Sequence, residues 1–203
     1  MTERLTRAQQ QEVTRTRLLD AAEKLFGDRG IPQTSLDGIA AEAGLTKGAI
    51  YANFAGKDDL IAAILERKLS TEEPVEPGRT PATWIEDLGG SYARNVAAPE
   101  VRRFALAFVE FWLLGMRDAK RRDAVMRWLG TVRELNGKEA AAVAGADLAM
   151  PADRLGALMV ALDIGIAMQH LIDPQSVPAD LYQAGLQAIV GDAGARPRTD
   201  PGR

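Results

Sequence analysis

The chain has 203 residues, of which 46% are hydrophobic, and its formal net charge is −3. That length is enough for one medium domain, or for a small domain attached to a larger one, with a substantial core. The negative charge excludes a sequence-independent nucleic-acid coat, and the absence of cysteine excludes disulfides and thiolate metal sites. Because no apolar signal segment opens the chain, we expect a soluble, cytoplasmic protein without membrane contact.

The apolar residues follow helical rather than strand spacing. Alanine and leucine recur at intervals of three and four residues, and alternating runs rich in Val, Ile and Thr are missing. The sequence therefore predicts an all-α fold, whose first helix spans residues 12–28 and ends before Gly30. The apolar stripe of this helix consists of Leu18, Ala21, Ala22, Leu25 and Phe26.

The beginning of the chain is basic. Up to residue 17 only two glutamates oppose the arginines, which are Arg4, Arg7, Arg15 and Arg17. Because the whole chain is negative, any nucleic-acid contact must be local, and this basic arm is the expected place for one.

Three short helices follow the first one. Thr34 and Asp37 fit the capping pattern of a second helix that ends at Gly44. Thr46 is expected to cap a third helix, which runs to Phe54. A fourth helix is predicted to begin after Gly56 and to continue to about residue 69.

The second and third helices have the spacing of a helix-turn-helix. Ala40 provides a small side chain where two helices cross, Gly44 permits a turn with positive φ, and Ile50 seals the pair. The N-terminal end of the third helix would then face DNA bases in the major groove. The candidate DNA contacts are Thr34, Thr46, Lys47, Gly48, Ala49, Tyr51, Asn53 and Lys57. The alternative interpretation of these polar side chains is solvated surface.

A proline-rich and glutamate-rich stretch, "TEEPVEPGRTP", divides the chain. The predicted organisation is an N-terminal domain at 1–70, a linker at 71–81, a helical domain at 82–193 and a disordered tail at 194–203. Helices of the second domain are expected to begin at Pro81, Pro99, Ala119, Pro151 and Pro178.

Aromatic and methionine side chains of the second domain suit an adaptable apolar pocket, and they suit a plain core equally well. Asp163 and His170, seven residues apart, can belong to a pocket, to a subunit interface or to a structural contact. Glu110 is placed on a solvated stripe, with no role. The candidate ligand contacts are Trp84, Phe108, Trp112, Met116, Trp128, Asp163 and His170.

An all-helical enzyme is the competing hypothesis from another class of protein. The chain contains one histidine and no cysteine, and it lacks a glycine-rich phosphate loop, a nucleophile elbow and a Glu-x-x-His pair. We therefore predict no catalytic residue, metal site or cofactor.

Three segments, "LLDAAEKLFGDRG", "TSLDGIAAEAGLTKGAIYANF" and "GKDDLIAAIL", resemble the DNA-binding domain of the TetR family of bacterial transcriptional regulators. The resemblance implies a three-helix DNA-binding head, a connecting fourth helix, and a helical domain that dimerises and usually binds a small molecule. Family recognition positions map onto all the candidate DNA contacts except Thr34, and Lys57 matches a phosphate-contacting lysine. Asn53 stands where the family often has Tyr or His.

The expected function is therefore that of a homodimeric repressor of a palindromic operator, released by a small apolar or amphipathic effector. Family resemblance also implies that the helices at 119–143 and 151–172 pack against their copies in the dimer. The alternative is a regulator of the same fold whose second domain binds a protein partner, or which acts as an activator.

Overall fold

The computed structural model describes residues 6–69, 79–145, 148 and 150–190, and these residues form nine α-helices and no strand. The predicted all-α fold is thereby confirmed. The helices are α1 (Arg7–Arg29), α2 (Leu36–Glu42), α3 (Lys47–Asn53), α4 (Lys57–Leu69), α5 (Pro81–Asn95), α6 (Pro99–Arg117), α7 (Ala119–Ala144), α8 (Ala152–His170) and α9 (Leu181–Val190).

The first helix begins more than one turn earlier than predicted. Thr6 is its N-cap, and its hydroxyl accepts a hydrogen bond from the Gln9 amide while the Gln9 side chain accepts one from the Thr6 amide. This reciprocal pair satisfies two free amides and so stabilises a polar first turn. The apolar stripe used for the prediction begins only at Leu18, which is why residue 12 was the wrong start.

The second helix is capped by a different residue from the predicted one. Ser35, not Thr34, accepts a hydrogen bond from the amide of Gly38, at 3.0 Å. The predicted linker lies mostly outside the described residues, as does the tail at 194–203, and the predicted domain boundaries remain predictions.

Two compact units make up the described chain. The first contains α1 to α4, α6 and the beginning of α7, and the second contains α5, the rest of α7, α8 and α9. The division within α7 falls between Trp128 and Leu129.

The first unit is centred on α1. Its buried side chains come from every helix of the unit, and the most deeply buried include Leu18, Leu25, Phe26, Ile39, Ile50, Leu60 and Phe111. Burial of one such aliphatic or aromatic side chain contributes roughly 1.5–3 kcal/mol to stability. The apolar stripe predicted for the first helix is therefore confirmed as core.

The second unit has its own core, with a close crossing of α7 and α8. Its buried cluster includes Trp84, Ile85, Leu155, Met159, Tyr182 and Leu186. A Cβ atom on Gly156 of α8 would collide with the carbonyl of Arg133 on α7, and one on Gly137 would collide with the carbonyl of Ala152. The backbones of α7 and α8 therefore approach each other closely at Gly137 and Gly156, which have no side chain.

Two kinds of feature are missing from the part of the chain that the structure describes. No helix there is both long enough and apolar enough to cross a membrane. Within the same ranges, no group of three or more His, Asp or Glu side chains is arranged to hold a metal ion.

Candidate nucleic-acid interface

The α2–α3 pair has the predicted helix-turn-helix geometry. Gly44 adopts a φ of +64°, and the amide of Leu45 donates to the carbonyl of Ala40 at 2.8 Å. Thr46 caps α3 by accepting a hydrogen bond from the amide of Ala49. Ile50 is fully buried, so α3 is fixed to the core on one side. The positive φ confirms why glycine is needed in this turn.

The opposite side of α3 is open. Tyr51 is 60% exposed, and Thr46, Lys47 and Gly48 are exposed as well. Ala49 and Asn53 are half-buried, and the Asn53 side-chain amide donates to the carbonyl of Ala49 at 2.7 Å. The structure therefore brings six of the eight predicted DNA contacts together on one short helix and its cap.

Lys47 is already paired with a carboxylate. Its Nζ lies 2.6 Å from Oδ2 of Asp37, on the first turn of α2, and both side chains are exposed. This hydrogen bond raises the pKa of Lys47 above its usual value. Oδ1 of Asp37 is buried and has no hydrogen-bond partner among the described residues.

The two predicted contacts outside α3 already donate hydrogen bonds to backbone carbonyls. Thr34 is only 4% exposed, and its hydroxyl donates to the carbonyls of Gly30 and Leu25. The hydroxyl is therefore committed to the fold, which also explains why it does not cap α2. Lys57 is half-buried and donates to the carbonyl of Ile31 at 2.8 Å and to that of Pro32 at 3.4 Å.

Two arginines of the predicted basic arm support the α2–α3 pair from α1. Arg17 donates to the carbonyl of Ala43 at 2.6 Å, at the C-terminal end of α2. The guanidinium of Arg15 lies 4.7 Å from the ring centre of Phe54. Both side chains thus hold the pair in place, which sequence spacing did not reveal because the partners lie more than 20 residues apart.

A polar groove runs between the first turns of α1 and the exposed end of α3. Its volume is about 960 Å³, and it is lined by Arg7, Gln10, Gln11, Thr14, Ala49, Ala52 and Asn53. The glutamines were not among the sequence candidates, because the predicted first helix began after them. The capping pattern at Thr6 and Gln9 is the signal that would have placed them on a helix.

The predicted ligand contacts are divided between the two units. Phe108 of the first unit lies 4.7 Å from Trp128 and 5.6 Å from Trp112, between ring centres. Met116 is 61% exposed. A cavity of about 20 Å³ lies beside this cluster, lined by apolar side chains of α1, α4 and α6, by Ile31 after α1, and by Glu23. Its size corresponds to about one water molecule.

Trp84, Asp163 and His170 belong to the second unit. Trp84 is fully buried, and its indole nitrogen has no hydrogen-bond partner among the described residues. His170 Nδ1 lies 2.9 Å from the carbonyl of Val177. The hydroxyl of Tyr92 donates to the backbone carbonyl of Asp163. Burial raises the pKa of the Asp163 carboxyl from 3.8 to about 6.

One residue that the sequence interpretation set aside has a specific contact. Oε2 of Glu110 on α6 accepts a hydrogen bond of 2.6 Å from the backbone amide of Ile31, in the turn between α1 and α2. The assignment of Glu110 to a solvated stripe is therefore wrong. Seven-residue spacing to Arg103 and Arg117 described only its own helix, and not the turn that packs on it.

Known proteins share the sequence pattern and the fold of this chain. The family described as bacterial regulatory proteins, tetR family, matches residues 18–64. The HTH-type transcriptional repressor SCO4008 of Streptomyces coelicolor is 34% identical over 162 residues, which cover 76% of this chain and 79% of that protein. The uncharacterized HTH-type transcriptional regulator TtgW of Pseudomonas putida is 42% identical over 83 residues, which cover 41% of this chain and 59% of that protein.

The fold is also similar to that of a protein of known structure. The reduced form of NemR from E. coli superimposes with a TM-score of 0.72, covering 87% of this chain and 97% of that chain at 18% identity, a likeness of fold alone. The TtgW match spans less than two thirds of that relative's length, whereas the SCO4008 match spans more than two thirds of both chains. Together with the family match over α1 to α4, this shows that the chain belongs to the TetR family of DNA-binding transcriptional regulators.

Proposed function

We propose that the protein is a homodimeric repressor that binds a palindromic operator through α3 and is released by a small apolar or amphipathic effector. The observation that carries the proposal is the two-sidedness of α3, with Ile50 fully buried and Lys47 and Tyr51 exposed. A helix held in this way can enter the major groove with its N-terminal residues toward the bases. The relative SCO4008 is a transcriptional repressor, which supports repression over activation for this chain.

Each exposed group on α3 has a chemical role in this proposal. Lys47 can bond a guanine edge or a phosphate, Gly48 permits close approach, and the methyl group of Ala49 can contact a thymine methyl. The Tyr51 hydroxyl can donate to a phosphate or a base edge, and so can the second N–H of the Asn53 side-chain amide, whose first donates to Ala49. Thr46, the N-cap, can donate its hydroxyl proton to a phosphate.

The groove beside α3 extends the proposed interface along α1. Arg7 and the two glutamines that line it are hydrogen-bond donors, as phosphate contacts require. Lys57 has one further N–H available for a phosphate besides those that it donates to Ile31 and Pro32. Thr34 is left out, because its hydroxyl is buried and already donates to backbone carbonyls.

A selection from random-sequence duplexes by the unmodified protein tests the DNA interface. We expect a palindromic consensus, and we expect Tyr51→Ala to weaken binding of the selected duplex by roughly 5- to 100-fold, the effect of one good contact. Leu106→Ala is the control, because Leu106 is an apolar side chain on α6 that is 45% exposed and lies outside the proposed DNA and dimer contacts. Selection without a consensus, or equal effects of the two changes, would contradict the proposal.

The dimer is proposed to form through residues 119–143 and 151–172. Two copies related by a two-fold axis would present their α3 helices about 34 Å apart, the spacing of successive major grooves. Exposed apolar side chains support this assignment, with Leu158 on α8 41% exposed and Ile172 86% exposed. Sedimentation should show a dimer that Leu158→Glu weakens and that Leu181→Glu, at an equally exposed position on α9, leaves intact. A monomer that still binds the palindrome with full affinity would contradict it.

The effector is proposed to bind among the apolar side chains of the C-terminal half. Phe108, Trp112 and Trp128 form a cluster that suits an aromatic or amphipathic molecule. The 20 Å³ cavity beside it must widen to admit one. A panel of such compounds should include some that raise the melting temperature and weaken operator binding.

A protein partner in place of a small molecule is the second candidate. Leu113 and Met116 on α6 are 53% and 61% exposed, and exposed apolar side chains of this kind can form a protein contact. If no compound raises the melting temperature, this candidate gains support. Reporter expression in the presence and absence of the protein separates a repressor from an activator.

A further inference from the structure

The turn between α1 and α2 is held by two other helices. The amide of Ile31 donates to Glu110 on α6, and its carbonyl accepts a hydrogen bond from Lys57 on α4. The carbonyl of Pro32 accepts a second, longer hydrogen bond from the same lysine. The backbone of this turn is therefore bonded on its donor side by α6 and on its acceptor side by α4.

Close backbone packing places the Glu110 carboxylate at the turn. Gly30 has a φ of +84°, and a Cβ atom there would lie 3.2 Å from both carboxylate oxygens of Glu110. Two turns earlier on α6, Arg103 lies against Gly27, where a Cβ atom would collide with the arginine side chain. Because Gly27 and Gly30 have no side chain, α6 can approach the end of α1 closely. This close approach leaves the carboxylate of Glu110 little room to move.

The turn is also bonded internally. Gly30 donates to the carbonyl of Phe26, and the Thr34 hydroxyl donates back to the carbonyl of Gly30. Ser35 then caps α2, which leads through Gly44 to α3. A displacement of the turn relative to α6 would therefore displace α2, and with it α3.

We propose that Glu110 is a positioning residue, which fixes the turn and thereby the orientation in which α3 meets the operator. The inference rests on the proposed operator recognition. Through this bond α6 contacts the turn that leads into the α2–α3 pair, and the same helix contributes Phe104, Phe108 and Phe111 to the apolar cavity. Movement of α6 around a bound molecule would then stretch the bond from Glu110 to Ile31.

The test compares three variants on two DNA duplexes. Glu110→Ala removes the acceptor, Glu110→Gln keeps an oxygen that can accept from Ile31, and Glu86→Ala removes an equal charge from an exposed carboxylate on α5. The duplexes are the one selected by the unmodified protein and a scrambled duplex of the same length. Circular dichroism and the melting temperature verify that each variant is folded.

We expect Glu110→Ala to lower affinity for the selected duplex about tenfold, as for a moderate coupling between sites, and to leave the scrambled duplex unaffected. Glu110→Gln should restore binding to within about threefold, because a neutral acceptor replaces a charged one. Glu86→Ala should bind like the unmodified protein. If Glu110→Ala does not fold, Glu110→Met replaces it, since methionine keeps the side-chain length and lacks a strong acceptor.

Two results would overturn the inference in different ways. An unchanged ratio of selected to scrambled affinity in Glu110→Ala, with only a lower melting temperature, would make Glu110 a structural residue and leave operator recognition intact. Unmodified protein that prefers no duplex would overturn operator recognition itself, and the positioning role with it.

Discussion

Residues close together in the sequence form the turn and the helix cap of the α2–α3 pair, whereas residues far apart form the Tyr92–Asp163 contact of the second unit. Gly44 and Thr46 act within the pair itself, and Lys47 reaches only ten residues back to Asp37. In the second unit, by contrast, Tyr92 bonds the backbone of Asp163 across 71 residues. The second unit therefore has specific contacts too, although no short sequence motif predicts them.

The largest expected effect concerns Asp163. It distinguishes a carboxyl with a specific place in the second unit from a polar residue that the fold only tolerates. Its carboxyl has a folded-state pKa of about 6 because of burial, against an ordinary value of 3.8. The folded protein therefore keeps a proton in a pH range where the unfolded chain has lost it, and the free energy of unfolding falls as the pH rises through that range. Above pH 6 the carboxyl is ionised in both states, and its burial then lowers the free energy of unfolding by at most about 3 kcal/mol.

Asp163→Asn should remove this dependence. Urea unfolding should find the variant and the unmodified protein similar in stability below pH 4, and the variant more stable by up to about 3 kcal/mol at pH 7.5. Asp123→Asn, on an exposed position of α7, is the matched control. A constant difference between variant and unmodified protein at every pH would show that Asp163 does not carry a buried charge.

The next effect concerns the crossing of α7 and α8. Gly156→Ala should lower the free energy of unfolding by about 1–3 kcal/mol, because its Cβ atom would overlap the carbonyl of Arg133. Gly165→Ala, on the same helix, meets nothing within 4 Å and should raise stability by up to about 1 kcal/mol through helix propensity. Equal effects in chemical denaturation would mean that the crossing tolerates a side chain.

The distance along the sequence between two interacting groups explains which features could be predicted from the sequence. Helix periodicity, the glycine turn and the Thr46 cap are local, and they gave the all-α fold and the helix-turn-helix correctly. Thr34 and Ser35 are adjacent candidate caps, and only the contact of the Thr34 hydroxyl with Leu25 and Gly30 decides between them. No local pattern contains that information.

Distant partners account for the other differences. Glu110 finds Ile31 across 79 residues, and Arg17 finds Ala43 across 26. The aromatic candidate ligand residues were grouped by residue type. Composition could not reveal that Trp84 and Phe108 belong to different units. Charge and hydropathy along one helix describe what that helix can bury, but the identity of its neighbour comes only from the fold.

The smallest expected effect returns to the α2–α3 pair and its short-range ion pair. Asp37 holds Lys47 by a hydrogen bond of 2.6 Å on the surface proposed to meet DNA. In complex with DNA a phosphate would compete with Asp37 for the lysine, and the carboxylate would repel that phosphate. Asp37→Asn should therefore tighten binding of the selected duplex by roughly threefold and steepen the logarithmic salt dependence by about one.

Glu42→Gln provides the control for net charge, because Glu42 forms a comparable exposed ion pair with Lys24 at 2.7 Å. If both changes tighten binding equally, the effect is one of long-range charge. If Asp37→Asn weakens binding, the carboxylate orients Lys47 for its DNA contact, and the pair belongs to the interface as a unit. Tighter binding in Asp37→Asn alone would show that the ion pair of Asp37 and Lys47 limits the affinity of α3 for DNA. The two residues are ten positions apart, and the sequence shows them only as two opposite charges.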